Sequence, residues 1–252
     1  MPRKKLIAAN WKMYKTPPQA REFLRTFLPL VEGHTRDEIT ICPPFVCIPA
    51  AVEEAKKRVG IGGQNMYWEK EGASTGEISA GMLIAAGCTH VIIGHSERRQ
   101  YFGETDDTVN RKLMAALNGK LVPIVCVGEV LEEREAGITE DVLRRQTINA
   151  LREISGLQAS TMTIAYEPVW AIGTGKTATP QIAAEAHRII REQAAESLGA
   201  AVADELRILY GGSVKPENAS ALMAQVEIDG ALVGGASLDP KSFAAIVKYQ
   251  VR

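Results

Sequence analysis

The chain has 252 residues, 46% of them hydrophobic and 23% charged, and its 29 basic and 30 acidic side chains leave a formal net charge of −1. That length buries a sizeable core, that balance excludes a nucleic-acid protein held by bulk electrostatics, and no stretch reaches the roughly 20 apolar residues of a membrane helix. The four cysteines form no Cys-x-x-Cys pair and the four histidines no His-x-x-x-His pair, so reduced thiols in a cytoplasmic protein, with no metal site, are expected.

From the N-terminus, the basic start is followed by Leu6-Ile7-Ala8-Ala9, too short for the core of a signal peptide. Short apolar runs then recur near residues 5–10, 38–42, 59–63, 89–93, 121–126, 162–166, 206–210 and 229–233, with longer amphipathic stretches between them. Val91-Ile92-Ile93 and Ile124-Val125-Cys126-Val127 are apolar on successive residues, the pattern of a strand covered on both faces in a parallel sheet. Thr139, followed by Glu140 and Asp141, reads as the cap of a helix whose inward face is Leu143, Ala150, Leu151 and Ile154. Thr179-Pro180 opens another, carried by Ile182, Ala186, Ile189 and Ile190 and stopped at Gly199, and Asp239-Pro240 opens the last. Eight strand-then-helix units without a linker predict an α/β fold, a (β/α)8 barrel forming one domain over 1–252. In such a barrel, function sits on the loops after the strand C-terminal ends.

Those ends carry the chemistry. Strand one ends at Asn10-Trp11-Lys12, where alternation puts the amide and the ammonium on one side, suited to an anionic substrate; a solvated rim lysine would read the same way. Strand four ends at Gly94-His95-Ser96-Glu97. A histidine at a helix start faces the positive end of the dipole, which favours a neutral ring able to polarise a carbonyl, although a packed histidine closing a turn has the same signature. Glu97 reads as a structural carboxylate paired with a lysine or arginine. Strand six ends at Glu167, a carboxylate costly to bury unless paired or used and hence the candidate general base. The following segment, Pro168 to Ala178, reads as a lid, with glycines for unusual backbone angles and Trp170 and Ile172 as apolar cover. Gly175-Lys176-Thr177 resembles the end of a nucleotide-binding loop, but Trp170 stands where that motif needs glycine. Gly211-Gly212 and Gly234-Gly235, after strands seven and eight, expose backbone amides where barrels of this kind bind phosphate.

Taken together, Asn10-Trp11-Lys12-Met13, Gly94 to Arg99, Ala165 to Gly175, Tyr210-Gly211-Gly212-Ser213 and Leu232 to Ala236 resemble the triosephosphate isomerase family over essentially the whole chain. The resemblance implies a TIM barrel and a cofactor-free aldose–ketose isomerase of glycolysis and gluconeogenesis, interconverting dihydroxyacetone phosphate and glyceraldehyde 3-phosphate through an enediolate. It implies Glu167 as base, His95 as proton shuttle, Lys12 and Asn10 at the substrate, and Glu97 near the lysine. Phosphate would be held by the amides of Gly173, Ser213, Gly234 and Gly235. Pro168, Ile172 and Gly175 would belong to the lid, with Ile172 and Leu232 clamping the base. The long loop Gln64–Ser79 would enter a second copy, giving a homodimer in which Thr75 braces the partner's site. Ser74 stands where the family commonly has an aromatic, and Tyr14 where a smaller residue is common. A size exchange across the interface is the expectation there. A different sugar-phosphate isomerase would share the two glycine turns but not the full polar set, and a non-catalytic phosphate-binding barrel would lack the base.

Overall fold

The computed structural model describes residues 3–172 and 177–250. Among them, β1 (Leu6–Asn10), β2 (Glu38–Cys42), β3 (Gly60–Gly63), β4 (His90–Ile93), β5 (Val122–Val127), β6 (Thr163–Tyr166), β7 (Arg207–Tyr210) and β8 (Gly230–Val233) lie within a residue or two of the eight apolar runs. All pair in parallel in chain order, and β8 returns to β1 with Leu6 opposite Gly230, closing a (β/α)8 barrel.

The continuous apolar runs have a simple cause: alternate residues serve two cores. On β4, Ile92 joins the inner cluster with Leu6, Ala8 and Ile124, while Val91 and Ile93 join the outer cluster under the helices. On β5, Ile124 and Cys126 face inward and Val125 and Val127 outward. Both faces are dry, so neither register position tolerates a polar side chain without a partner. The ring of helices is closed by a ladder of aromatics. Trp11 meets Phe23 edge-on at 4.8 Å, Phe23 stacks on Phe27 at 5.5 Å, and Phe27 stacks on Phe243 at 5.1 Å, joining the helices Pro17–Leu30 and Pro240–Val247.

The barrel's two ends differ in chemistry. At the strand starts, Arg207 pairs with Glu38 at 2.6 Å and His90 approaches the same carboxylate at 3.1 Å. The His90 hydrogen bond, against the opposing effect of burial and with help from Arg207, holds the Glu38 carboxyl down at about 2. That end is an ionic plug, and the functional groups lie at the other.

The helix boundaries follow local chemistry. Thr179 Oγ1 accepts the Ile182 N–H at 3.2 Å and Asp239 Oδ1 the Ser242 N–H at 2.7 Å, each ahead of a proline at the first helical position. Gly199, at φ 88, stops Pro180–Leu198, yet a further helix, Ala200–Glu205, begins immediately after it. Thr139 is a correction: it is the first residue of the helix Thr139–Leu151, Ile138 occupies the cap without a side-chain hydrogen bond, and Ile154, though buried, lies beyond the last turn. No helix among the described residues is long and apolar enough to cross a membrane.

Candidate active site

The strand C-terminal ends surround a cavity of about 710 Å3. Asn10, Lys12, His95, Glu97, Glu167, Ile172, Leu232, Ser213 and the pairs Gly211-Gly212 and Gly234-Gly235 all line it. Residues spread over more than 200 positions of sequence therefore share one mouth, because each lies at or just beyond the C-terminal end of a strand of the same closed barrel.

Lys12 is held by its backbone. Its φ is 50, in the left-handed region that non-glycine residues rarely occupy. Asn10 Oδ1 accepts the Lys12 N–H at 3.0 Å, and Gln64 Nε2 donates to the Lys12 carbonyl at 2.9 Å and to that of Cys42 at 2.8 Å. Both peptide groups of a strained residue are thus gripped, which aims the side chain across the mouth. There Lys12 Nζ meets Glu97 Oε1 at 2.6 Å, the lysine partner expected for Glu97.

His95 caps the helix Ser96–Phe102, its Nδ1 accepting the Glu97 N–H at 3.2 Å. The ring's proton consequently belongs on Nε2, which faces Glu167 Oε1 at 2.9 Å. Burial lowers the His95 pKa, as a neutral ring requires, but the Glu167 carboxylate, with help from Glu97, opposes it, and the net direction is upward. The helix start alone could not reveal this, because the opposing charge arrives from a residue 72 positions away.

Glu167 is 2% exposed. Burial alone raises its pKa; the His95 ring and the Ser96 N–H, which donates to Oε2 at 2.8 Å, outweigh that and bring it below the ordinary carboxylate range. Two glycines lie against Glu167, Gly211 at its side chain and Gly128 at its backbone. A Cβ added at Gly211 would lie 2.9 Å from Glu167 Cγ, and one added at Gly128 would lie 2.6 Å from the Glu167 carbonyl carbon and closer still to the oxygen. Cys126, next to it on β5, is fully buried, and burial first, then the Glu167 carboxylate, pushes its thiol well above the usual range.

The segment after Glu167 is anchored over its first residues. Pro168 packs against Gly212, and Val169–Ala171 forms a short 3₁₀ turn. Trp170 Nε1 donates to Glu129 Oε1 at 2.9 Å, the Tyr166 hydroxyl donates to the same oxygen at 3.0 Å, and the Arg134 guanidinium lies 4.4 Å from the Trp170 ring. Gly173 and Gly175 lie outside the described residues.

Of the residues expected at a subunit contact, Tyr14 is 58% exposed at the rim of the cavity, Thr75 is exposed and Ser74 half-buried. Ser74 and Thr75 do not line the cavity of their own chain. Sequence reasoning missed Gln64, the Ser96 amide, Glu129 and Asn218, whose Nδ2 donates to the Ser213 carbonyl at 3.0 Å. Gln64, the Ser96 amide and Glu129 act through hydrogen bonds that only the closed fold creates, while that of Asn218 is local to the turn after β7. A buried glutamate just past a strand end, as at Glu129, was the one signal available.

Comparison with known proteins agrees with this geometry. The family model described as triosephosphate isomerase matches residues 5–250. A triosephosphate isomerase of Solibacter usitatus is 58% identical over 98% of this chain and 100% of its own. Those of Moorella thermoacetica and Carboxydothermus hydrogenoformans are 56% and 53% identical, covering 98% and 99% of this chain and 99% and 100% of theirs. The chain belongs to the triosephosphate isomerase family.

Proposed function

We propose that the protein interconverts dihydroxyacetone phosphate and D-glyceraldehyde 3-phosphate by proton transfer through an enediolate, as a cytoplasmic enzyme of glycolysis and gluconeogenesis. The observation that carries this reading is the Glu167–His95 contact of 2.9 Å in a barrel mouth that also holds Lys12 and two glycine turns.

The roles follow from the groups. Glu167 removes a proton from the carbon beside the carbonyl and returns it to the neighbouring carbon. His95 donates Nε2–H to the carbonyl oxygen and then moves a proton between the two oxygens of the enediolate. Lys12, aimed by Asn10 and Gln64, supplies positive charge to the phosphate and to the developing oxyanion. The amides of Ser213, Gly234 and Gly235, with that of Gly173 from the lid, hold the phosphate. Glu97 keeps Lys12 in place.

The resting contacts of Glu167 also explain its activation. A carbonyl oxygen that takes the His95 N–H removes the largest of the influences that lower the Glu167 pKa, leaving the Ser96 N–H and Lys12, while burial, which raises it, stays. Substrate binding therefore turns a stabilised carboxylate into a stronger base. Closure of the lid, from Pro168 through Ile172 and Gly175, adds to this by excluding water and laying Ile172 and Leu232 over the carboxylate. The same closure shields the enediolate from loss of phosphate.

The working form is a homodimer built on the loop Gln64–Ser79, with Thr75 bracing the partner's Asn10 and His95 region and Tyr14 filling space left by Ser74. Support comes from the exposed apolar groups Met13, Tyr14, Val46, Tyr101 and Phe102. The test of the activity is isomerisation of glyceraldehyde 3-phosphate by the parent and by Glu167→Gln. Turnover should fall by roughly 10²–10⁴-fold in the variant. Turnover that survives in Glu167→Gln would point to another base, and an inactive parent that still binds inorganic phosphate would leave a binding barrel.

A further inference from the structure

Beyond Val127, β5 continues as a single strand end whose two sides have different partners. Toward β6 it keeps the parallel ladder: Val127 O accepts the Glu167 N–H at 2.8 Å and Glu129 O the Val169 N–H at 3.1 Å. Toward β4 the ladder stops, because pairing ends at Ile93 with Val125 and β4 turns away at Gly94, at φ 69. The N–H and C=O of Gly128 point to that vacated side, and buried peptide groups need partners. Gln146, buried on the helix Thr139–Leu151, supplies both. The Gly128 N–H donates to Gln146 Oε1 at 2.7 Å, and Gln146 Nε2 donates to the Gly128 carbonyl at 3.2 Å. A primary amide offers one acceptor and one donor edge, the complement of a peptide group, so Gln146 completes the ladder that β4 abandons.

The opposite face of Gly128 touches Glu167 with no side chain between the two backbones. Behind this contact lies a cavity of about 230 Å3, lined by Arg99, Cys126, Gly128, Glu133, Gln146 and Glu167 among others. The strand end that carries the base therefore lacks packed support on that side, and the Gln146 amide spans to it. We propose that Gln146 is a positioning residue for Glu167, holding the Gly128 peptide against which the base is set. This rests on the reading of Glu167 as the base.

Two variants test it. Gln146→Met keeps the length and removes both hydrogen bonds; kcat should fall about 10–100-fold, the loss expected for a misplacement near 1 Å, while KM and the affinity for inorganic phosphate change by less than about threefold. Gln146→Glu separates geometry from bulk. Its protonated carboxyl reproduces the amide's donor and acceptor, and its ionised form places a second acceptor against the Gly128 carbonyl. The charged neighbours facing it in the cavity are Arg99, Glu133 and Glu167. Its kcat should approach the parent's at low pH and fall as pH rises, an ionisation absent from the parent and from Gln146→Met. Titration of the Glu167 carboxyl, followed by carbon-13 NMR in the dimer, should move upward in Gln146→Met. A folded Gln146→Met with parental kcat and an unmoved carboxyl titration overturns the inference, as does a loss of kcat and phosphate affinity in equal proportion. An inactive parent would instead remove the proposed activity, and the carboxyl titration would then decide the role of Gln146 by itself.

Discussion

Gly128→Ala gives the sharpest perturbation of the proposed base, Glu167, without touching its side chain. The added methyl would stand 2.6 Å from the Glu167 carbonyl carbon, under the 3.0 Å below which real Cβ contacts essentially never occur, and the carbonyl oxygen is closer still. Both partners are backbone, so no rotamer change relieves the clash. The two strand ends must part by about 1 Å, enough to cost roughly 10²-fold in rate when the moved group is the reacting one. Overpacking adds a stability loss of about 1–3 kcal/mol. Steady-state isomerisation kinetics and calorimetric titration of inorganic phosphate read the two effects apart. The expected result is a folded protein with kcat down about 10²-fold and phosphate affinity within about threefold of the parent, since the proposed phosphate seat is on the turns after β7 and β8. A folded Gly128→Ala with kcat near the parent's would refute the claim that the contact sets the position of Glu167.

Three further outcomes are expected. His187 is fully buried, with Nδ1 on the Glu227 carbonyl at 3.0 Å, and burial brings its pKa from 6.5 down to about 4. The unfolded chain then takes up the proton first, so this contribution to stability is complete above about pH 6.5 and is lost, up to roughly 3 kcal/mol, as pH falls toward 4. Denaturation at fixed protein concentration should show a smaller acid loss in His187→Gln, and equal pH slopes would count against it. Lys12→Met should weaken inorganic phosphate binding at least about thirty-fold, leaving the Glu97 carboxylate uncompensated in the mouth; parental affinity would contradict the role given to Lys12. Tyr14→Asn should raise the dimer dissociation constant about thirty-fold in sedimentation at low concentration, and an unchanged constant would sink the proposed exchange with Ser74.

The barrel was legible because its strands are covered on both sides. Residues such as Val91-Ile92-Ile93 must be apolar in succession when alternate positions feed two cores, as in any parallel sheet covered on both faces, and eight such runs in alternation with helices favour the closed barrel. The polar residues at the strand ends were legible for the complementary reason that Glu167 and Lys12 interrupt apolar surroundings. What stayed hidden depends on pairings across the fold. Gln146 reads in sequence as one more polar residue of an amphipathic helix, and only the turn of β4 at Gly94 leaves Gly128 in need of it. The upward push on His95 has the same origin, as does the grip of Gln64 on Lys12. Thr139 shows the local limit: a threonine before two acidic residues fits a cap and a first helical residue equally well, and the choice between them is made by Ile138, whose backbone lies outside the helical region.

In the proposed reaction Glu167 carries a proton between two carbons, and the carboxyl proton can exchange with solvent before it is returned. Isomerisation of glyceraldehyde 3-phosphate in D2O, with the product examined for deuterium on its newly protonated carbon, tests it most directly. The parent should give product with solvent deuterium at that carbon, and Glu167→Gln should lose both turnover and incorporation. Turnover and incorporation at the parental rate in Glu167→Gln would contradict that role.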